Sequence, residues 1–190
     1  MAFTIDTFRN SALAAGGARA NLFDVTISGV GATTNVGATG VAEFVFACKA
    51  AAIPAMAVGT IDVPYFGRTI KVPGNKTFDN WTVTVINDEG FTIRNGFEKW
   101  IATMGTHKGN INTATNENLY GEGLIKQYPK TGAAPIAIYK FINIFPVNMS
   151  EITLGWDAND AIEEYTVEFA YDYWSHTGGT PGGAVAGTVN

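Results

Sequence analysis

One cysteine, two histidines and two pairs of adjacent carboxylates carry the reactive potential of this chain: Cys48, His107, His176, Asp88-Glu89 and Glu163-Glu164. A thiolate nucleophile needs a base beside it. Cys48 lies in an apolar run, where burial raises a thiol's pKa, so it reads as core packing unless His107 or His176 reaches it. Both histidines fall in polar segments with no cysteine or carboxylate at ligand spacing, which argues against a metal site. Neighbouring residues of a strand point to opposite faces, and both carboxylate pairs sit at element ends. They read as solvated turns or electrostatic contacts rather than as a general acid and base. Gly29-Val30-Gly31 opens like a dinucleotide fingerprint, but Thr34 stands in the third glycine's place and no helix is expected to follow. Asn75, Asn80 and Asn148 each open a glycosylation sequon, which has meaning only in a secreted chain. No nucleophile, base, metal set or cofactor site assembles from these residues, so no enzyme is expected.

Composition bounds the elements that hold them. At 190 residues the chain suits one domain with a core of its own. Lys, Arg, Asp and Glu make up only 15%, against roughly 25% in soluble globular chains. So few charges fit a subunit whose surface is buried against copies of itself, although a large internal core would read similarly. The 12 basic and 17 acidic residues give a net charge of -5, and Arg68, Lys71 and Lys76 are scattered rather than clustered. Neutralising phosphates takes a basic patch, so tight nucleic-acid binding is not expected. One cysteine allows no internal disulfide, as in a reducing cytoplasm. The opening Met1-Ala2-Phe3-Thr4-Ile5-Asp6 has neither the basic flank nor the apolar stretch of an export signal. The nearly uncharged run Ala50 to Val58 is broken by Pro54 and falls far short of the roughly 20 residues that span a bilayer. No membrane insertion is expected.

Period-two alternation dominates. Phe23, Val25 and Ile27 alternate with polar residues in Asn21 to Ser28; Trp81, Val83 and Val85 share one side of Phe78 to Asn87; Tyr165, Val167, Phe169, Tyr171 and Tyr173 alternate with Glu164, Thr166, Glu168, Ala170 and Asp172. Further strands are expected at Glu43 to Lys49, Arg68 to Val72, Gly123 to Tyr128 and Ile136 to Phe145, the last two as a hairpin, with a short one at Ile152 to Leu154. Gly29 to Gly40 reads as a flexible hairpin connection, and Ala50 to Gly67 as a long excursion with little regular structure in which Thr60 to Val63 pairs briefly. From Phe91 to Met104 the period changes, and Ile93, Phe97, Trp100, Ile101 and Met104 form one stripe of the only convincing helix. That helix should lie across a sheet. Gly105 to Asn118 reads as a polar loop and Ser175 to Asn190 as a mobile Gly-rich tail. The sum is about seven strands and a helix, a mainly β fold with an antiparallel sandwich or barrel and one flanking α-helix. Such a sheet leaves edges that another copy can pair with.

Several stretches resemble the tail-tube proteins of contractile-tailed bacteriophages. Ala18-Arg19-Ala20-Asn21-Leu22-Phe23 is similar to the opening of that family's first strand. Phe46-Ala47-Cys48-Lys49-Ala50 with Ile53-Pro54 resembles its second strand and the loop after it. The most specific stretch runs from Thr77 through Trp81 to Glu89, preceded by Arg68 to Val72, and Tyr171-Asp172-Tyr173-Trp174 fits the close. The Gly-rich segments Val30 to Gly40 and beyond Trp174 depart from the pattern. The resemblance implies one tail-tube domain over residues 1–174, with an N-terminal arm at 1–20, a long loop at 53–67, a helix at about 91–104 and a tail at 175–190. It implies six copies per ring, rings stacked into a tube, and inner strands of neighbours joined in one barrel around a lumen. Implied partners are the sheath, baseplate and tail-terminator proteins, with tape-measure protein and DNA passing the lumen without specific binding. The place implied is the virion tail, assembled in host cytoplasm.

Within that frame the aromatic-bearing loop is expected to pack on the adjacent ring, through Ile53, Pro54, Tyr65, Phe66 and Arg68. The acidic row Glu164, Glu168 and Asp172 is expected on either the lumen or the outer face. One rival is the tube of a contractile injection or secretion machine carrying protein effectors. Another is a monomeric β-sandwich binding module.

Overall fold

A computed structural model describes residues 4–11, 13–14, 16–113 and 115–178. In chain order it contains α1 (Ile5–Ser11), β1 (Phe23–Ser28), α2 (Gly29–Asn35), α3 (Gly37–Ala47), β2 (Cys48–Ala51), β3 (Ala57–Tyr65), β4 (Arg68–Thr77) and β5 (Trp81–Ile86). Then follow α4 (Thr92–Met104), α5 (Asn116–Leu119), β6 (Gly121–Gln127), β7 (Ala137–Met149), β8 (Glu164–Ala170) and β9 (Tyr173–Gly178).

Alternation makes the strands. Val25 and Ile27 of β1, Trp81, Val83 and Val85 of β5, and Tyr165, Val167 and Phe169 of β8 are all buried, while the residues between them are not. The strands join in the order β1-β6-β7-β8-β5-β2, every pair antiparallel, with β9 also beside β7. Strand β7 serves two sheets. Its first half pairs β6 and β9, and from Phe145 on it pairs β8. The change of direction falls at Asn143, whose φ of 56 lies in the left-handed region, and Asn143 Nδ2 donates to Asp172 Oδ2 at 2.6 Å. Asp172 is where the chain itself crosses from β8 to β9. The sheet therefore folds over a core in which Trp81 stacks on Phe141 at 4.4 Å and lies beside Phe169 at 5.5 Å.

Helix α4 closes the core as its stripe predicts. Ile93, Phe97 and Trp100 are buried, Phe97 meets Phe169 edge-on at 5.6 Å, and Trp100 Nε1 donates to Leu119 O at 2.8 Å. Its start is held by Asp88, whose Oδ2 accepts the Thr92 N–H at 3.1 Å. Burial raises the Asp88 pKa, but the hydrogen bonds from the Thr92 backbone and hydroxyl outweigh it and leave the carboxyl below its ordinary value.

Several readings from sequence need correction. Gly29 to Gly40 is no flexible connection: α2 and α3 pack beside α4. Small side chains let the backbones close up, since a Cβ on Gly96 would meet Val36 Cα at 2.6 Å and one on Gly31 would meet Tyr120 O at 2.7 Å. A helix thus does follow Gly29-Val30-Gly31, although Tyr120 fills the space beside Gly31. The strand placed at Glu43 to Lys49 is helical through Ala47; Phe44 turns into the core against Phe97 at 5.7 Å, and β2 is only Cys48–Ala51. The segment read as a long irregular excursion, with Arg68 to Val72 as a short strand after it, is one continuous hairpin of β3 and β4. Finally, Tyr173 begins a new strand rather than ending the old one, and Ser175 to Thr177 pair with β7 instead of trailing free; residues 179–190 of the expected tail lie outside those described. Ile152 to Leu154 forms no strand, and α5 interrupts the polar loop.

Candidate assembly surface

Among the described residues, the β3–β4 hairpin shares no strand pairing with the other strands. Every residue of it except Gly74 is exposed. Register divides it into two faces: Thr60 opposite Pro73, Asp62 opposite Lys71 and Pro64 opposite Thr69 on one, and Ile61 opposite Val72, Val63 opposite Ile70 and Tyr65 opposite Arg68 on the other. The second face is an apolar ribbon in water. A two-stranded ribbon alone is marginal at best, because it orders many residues and buries little.

The tip sharpens the point. Phe66 and Gly67 form a two-residue turn with φ of 40 and 77, the pattern of a type I′ hairpin, which favours Asn-Gly or Gly-Gly. A phenylalanine in the left-handed region costs about 1–2 kcal/mol. Phe66 is nevertheless 92% exposed, and its ring touches only Tyr65, edge-on at 4.7 Å. Among the described residues no other ring contact to Phe66 offsets that strain. Tyr65, Phe66 and Arg68 are thus brought together at the tip. Ile53 and Pro54 stand near the root, a strand of nine residues away, or about 30 Å, so the five residues do not make one patch.

The acidic row divides likewise. Glu164 and Glu168 stand on the outer face of β8, level with Ile86 and Thr82 of β5, and Glu164 pairs with Lys49. Asp172 lies past the end of β8 and is tied to Asn143. Thr82, Thr84, Thr166 and Asn148 complete a surface of small polar side chains around Glu168. The outer face of the β1–β6–β7 half instead carries cross-strand ion pairs, Asp24 with Lys126 at 3.6 Å and Glu122 with Lys140 at 2.8 Å. There Tyr128 donates to Asp24 at 2.6 Å, a bond that pushes its phenol up to about 12.

Cys48 is buried where α3 meets β2, and its thiol donates weakly to Ala50 O at 3.6 Å. Burial pushes its pKa up to about 12. His107 is exposed in the polar loop, and the ring of His176, on β9, lies 4.7 Å from that of Tyr139, on β7. Among the described residues, no group of three or more His, Cys, Asp and Glu could hold a metal ion, and no helix is long and apolar enough to cross a membrane.

One feature lay outside the sequence-based reading. Phe46 on α3 is 88% exposed and, with Glu43, Ala47, Ile86, Asp88 and Ile93, lines an open groove of about 290 Å³. Its only signal was the run Val41 to Cys48, apolar at every position but Glu43, which fits a helix as well as a strand.

The phage tail tube protein family matches the chain over residues 18–177. Tail tube protein gp19 of Enterobacteria phage T4 is 36% identical over 158 residues, an alignment covering 83% of this chain and 90% of that protein. The tail tube protein gp19 of Enterobacteria phage T6 is 35% identical over the same shares. Two solved structures share the fold. The sheath–tube complex of the PVC extracellular contractile injection system gives a TM-score of 0.61 at 12% identity, covering 93% of this chain and 99% of that one. The tube-terminating cap of the anti-feeding prophage gives 0.62 at 15%, covering 86% and 92%.

Proposed function

The chain belongs to the phage tail tube protein family, and from that premise we infer that it is a structural, non-enzymatic virion protein whose copies build the inner tube of a contractile phage tail. Its rings have six members and stack to form the conduit through which the genome leaves. The likeness to injection-system tubes, at 12% and 15% identity, speaks for the fold alone, and the curated relatives are phage proteins. A sheath surrounds the tube, a baseplate starts it and a terminator caps it. Tape-measure protein and DNA occupy the lumen without specific binding.

The observation that carries this reading is the hairpin: an apolar arm, held out in water and ending in a strained, exposed aromatic. Such an arm has a role only if another copy covers it. We assign it to the contact between adjacent rings, with Tyr65 and Phe66 as anchors, Arg68 beside them, and Ile53 and Pro54 seating the root. Replacing Tyr65 and Phe66 together by Ala should leave the subunit folded by circular dichroism and abolish long tubes in negative-stain micrographs. Tubes of normal length and number would refute the arm's role.

The lumen needs a wall that does not hold phosphate. The small polar outer face of β5 and β8 supplies acidic charge that repels DNA through Glu168, which makes no ion pair among the described residues, while Glu164 is neutralised by Lys49. This face is the better candidate than the β1–β6–β7 face, which places two cations, Lys126 and Lys140, where phosphate could compete for them with Asp24 and Glu122.

A further inference from the structure

The groove beside α3 and the hairpin tip are matched in size and complementary in charge. The groove's apolar lining is Phe46, Ala47, Ile86 and Ile93, and its only charged lining residues are Glu43 and Asp88. Glu43 is exposed and makes no ion pair among the described residues. Asp88 Oδ1 has no hydrogen-bond partner, while its other oxygen caps α4. The hairpin carries three basic side chains, Arg68, Lys71 and Lys76, against one acidic, Asp62; none of the four is paired within the described chain. A cavity of about 150 Å³ holds a benzene ring, so a groove of about 290 Å³ admits a phenylalanine side chain with room beside it.

The tip does not fill its own groove, since Phe66 stands free. The two features also lie at opposite ends of β5. The hairpin is rooted at the Trp81 end, where Trp81 Nε1 donates to Ala52 O at 3.1 Å. The groove is at the Ile86 end, six strand residues away, or about 20 Å. A contact between unlike ends of two copies is head-to-tail, the kind that propagates instead of closing a dimer.

We propose that the groove receives the hairpin tip of a second copy of this chain, with the Phe66 ring against Phe46 and Ile86 and the Arg68 guanidinium on the Glu43 carboxylate. The assignment rests on the reading of the hairpin as the inter-ring arm and gives that arm its receptor. Oxidation of assembling protein tests it. A Phe46→Cys, Phe66→Cys double variant should give a ladder of linked copies on a non-reducing gel, and neither single variant should, because native Cys48 is buried. Links between two Phe66→Cys tips, or between Phe46→Cys and a Phe8→Cys placed on α1, would overturn it by naming another occupant. Normal tubes without a ladder would overturn it too and leave the inter-ring arm intact, whereas normal tubes from the Tyr65, Phe66 double alanine would remove the arm itself. If the cysteine variant forms no tubes, charge reversal decides. Arg68→Glu and Glu43→Arg should each lower tube yield at least tenfold, with circular dichroism unchanged, and together restore it; failure to restore would overturn the pairing.

Discussion

Cys48 and Phe66 are opposite solutions for an apolar side chain, one sealed away and one presented. Only a thiolate reacts readily, so a thiol pushed up to about 12 by burial stays inert at neutral pH. Its titration also has a consequence for stability. The folded pKa lies above the ordinary 9.0, so the folded state favours the neutral thiol. That contribution is complete below about pH 9 and disappears as pH climbs toward 12, for a total of up to about 4 kcal/mol. Lysines and tyrosines titrate in the same window, so the measurement is a difference. Urea unfolding of the native subunit and of Cys48→Ala should show a constant gap up to about pH 9 that changes sharply by pH 11, the native protein losing more. A gap that stays constant to pH 11 would mean that the thiol is not sealed. Phe66 was singled out from sequence as an anchor because it stands with Tyr65 in a connection too long for a compact domain and too apolar for plain disorder. Its left-handed backbone was not legible, because Phe is among the last residues expected at the first central position of such a turn.

Among the elements, the joint between α2 and α3 depends on the absence of a side chain elsewhere. Gly96 lies inside α4, where Ala is intrinsically better by about 1 kcal/mol. Yet its missing Cβ is the space into which the Val36 backbone fits, at 2.6 Å. Gly96→Ala should therefore destabilise the subunit by about 1–3 kcal/mol in urea or thermal unfolding; a stabilised variant would show that α2 and α3 do not seat on α4 in this way. The same joint explains what the sequence concealed. Strands β1, β5 and β8 were legible because each has one wet face and one dry one, so polarity alternates along the chain. α2 was not, because Gly, Val, Thr and Asn give it little intrinsic helicity and only contact with α4 and Tyr120 makes it a helix. Around Val41 to Cys48 nearly every residue is apolar, so periods of two and 3.6 fit equally well. That ambiguity hid Phe46, and the groove with it. In the hairpin, Pro64 and Pro73 read as breakers. A two-stranded ribbon has no central strand, and a proline whose missing N–H would face outward costs it no ladder bond.

At the scale of the whole molecule, a tube subunit must present one face to passing DNA, another to its sheath, and its remaining surface to copies of itself. Few charges leave few markers of which face is which. We propose the small polar wall of β5 and β8 as the lumen face because a conduit must let phosphate slide, and Glu168 among threonines repels it, while the one cation nearby, Lys49, is held by Glu164. Access by size tests the assignment. A Glu168→Cys side chain should react with a small maleimide in both free subunit and finished tube, since the lumen is open to solutes. A maleimide carried on a globular protein several times the subunit's mass should label the free subunit and fail on the tube. Labelling of tubes by the large reagent would place β8 on the sheath side, and protection from both reagents would place it between subunits. The experiment is clean because the chain's other thiol is the inert Cys48, whose burial at the end of α3 keeps it silent in every state compared.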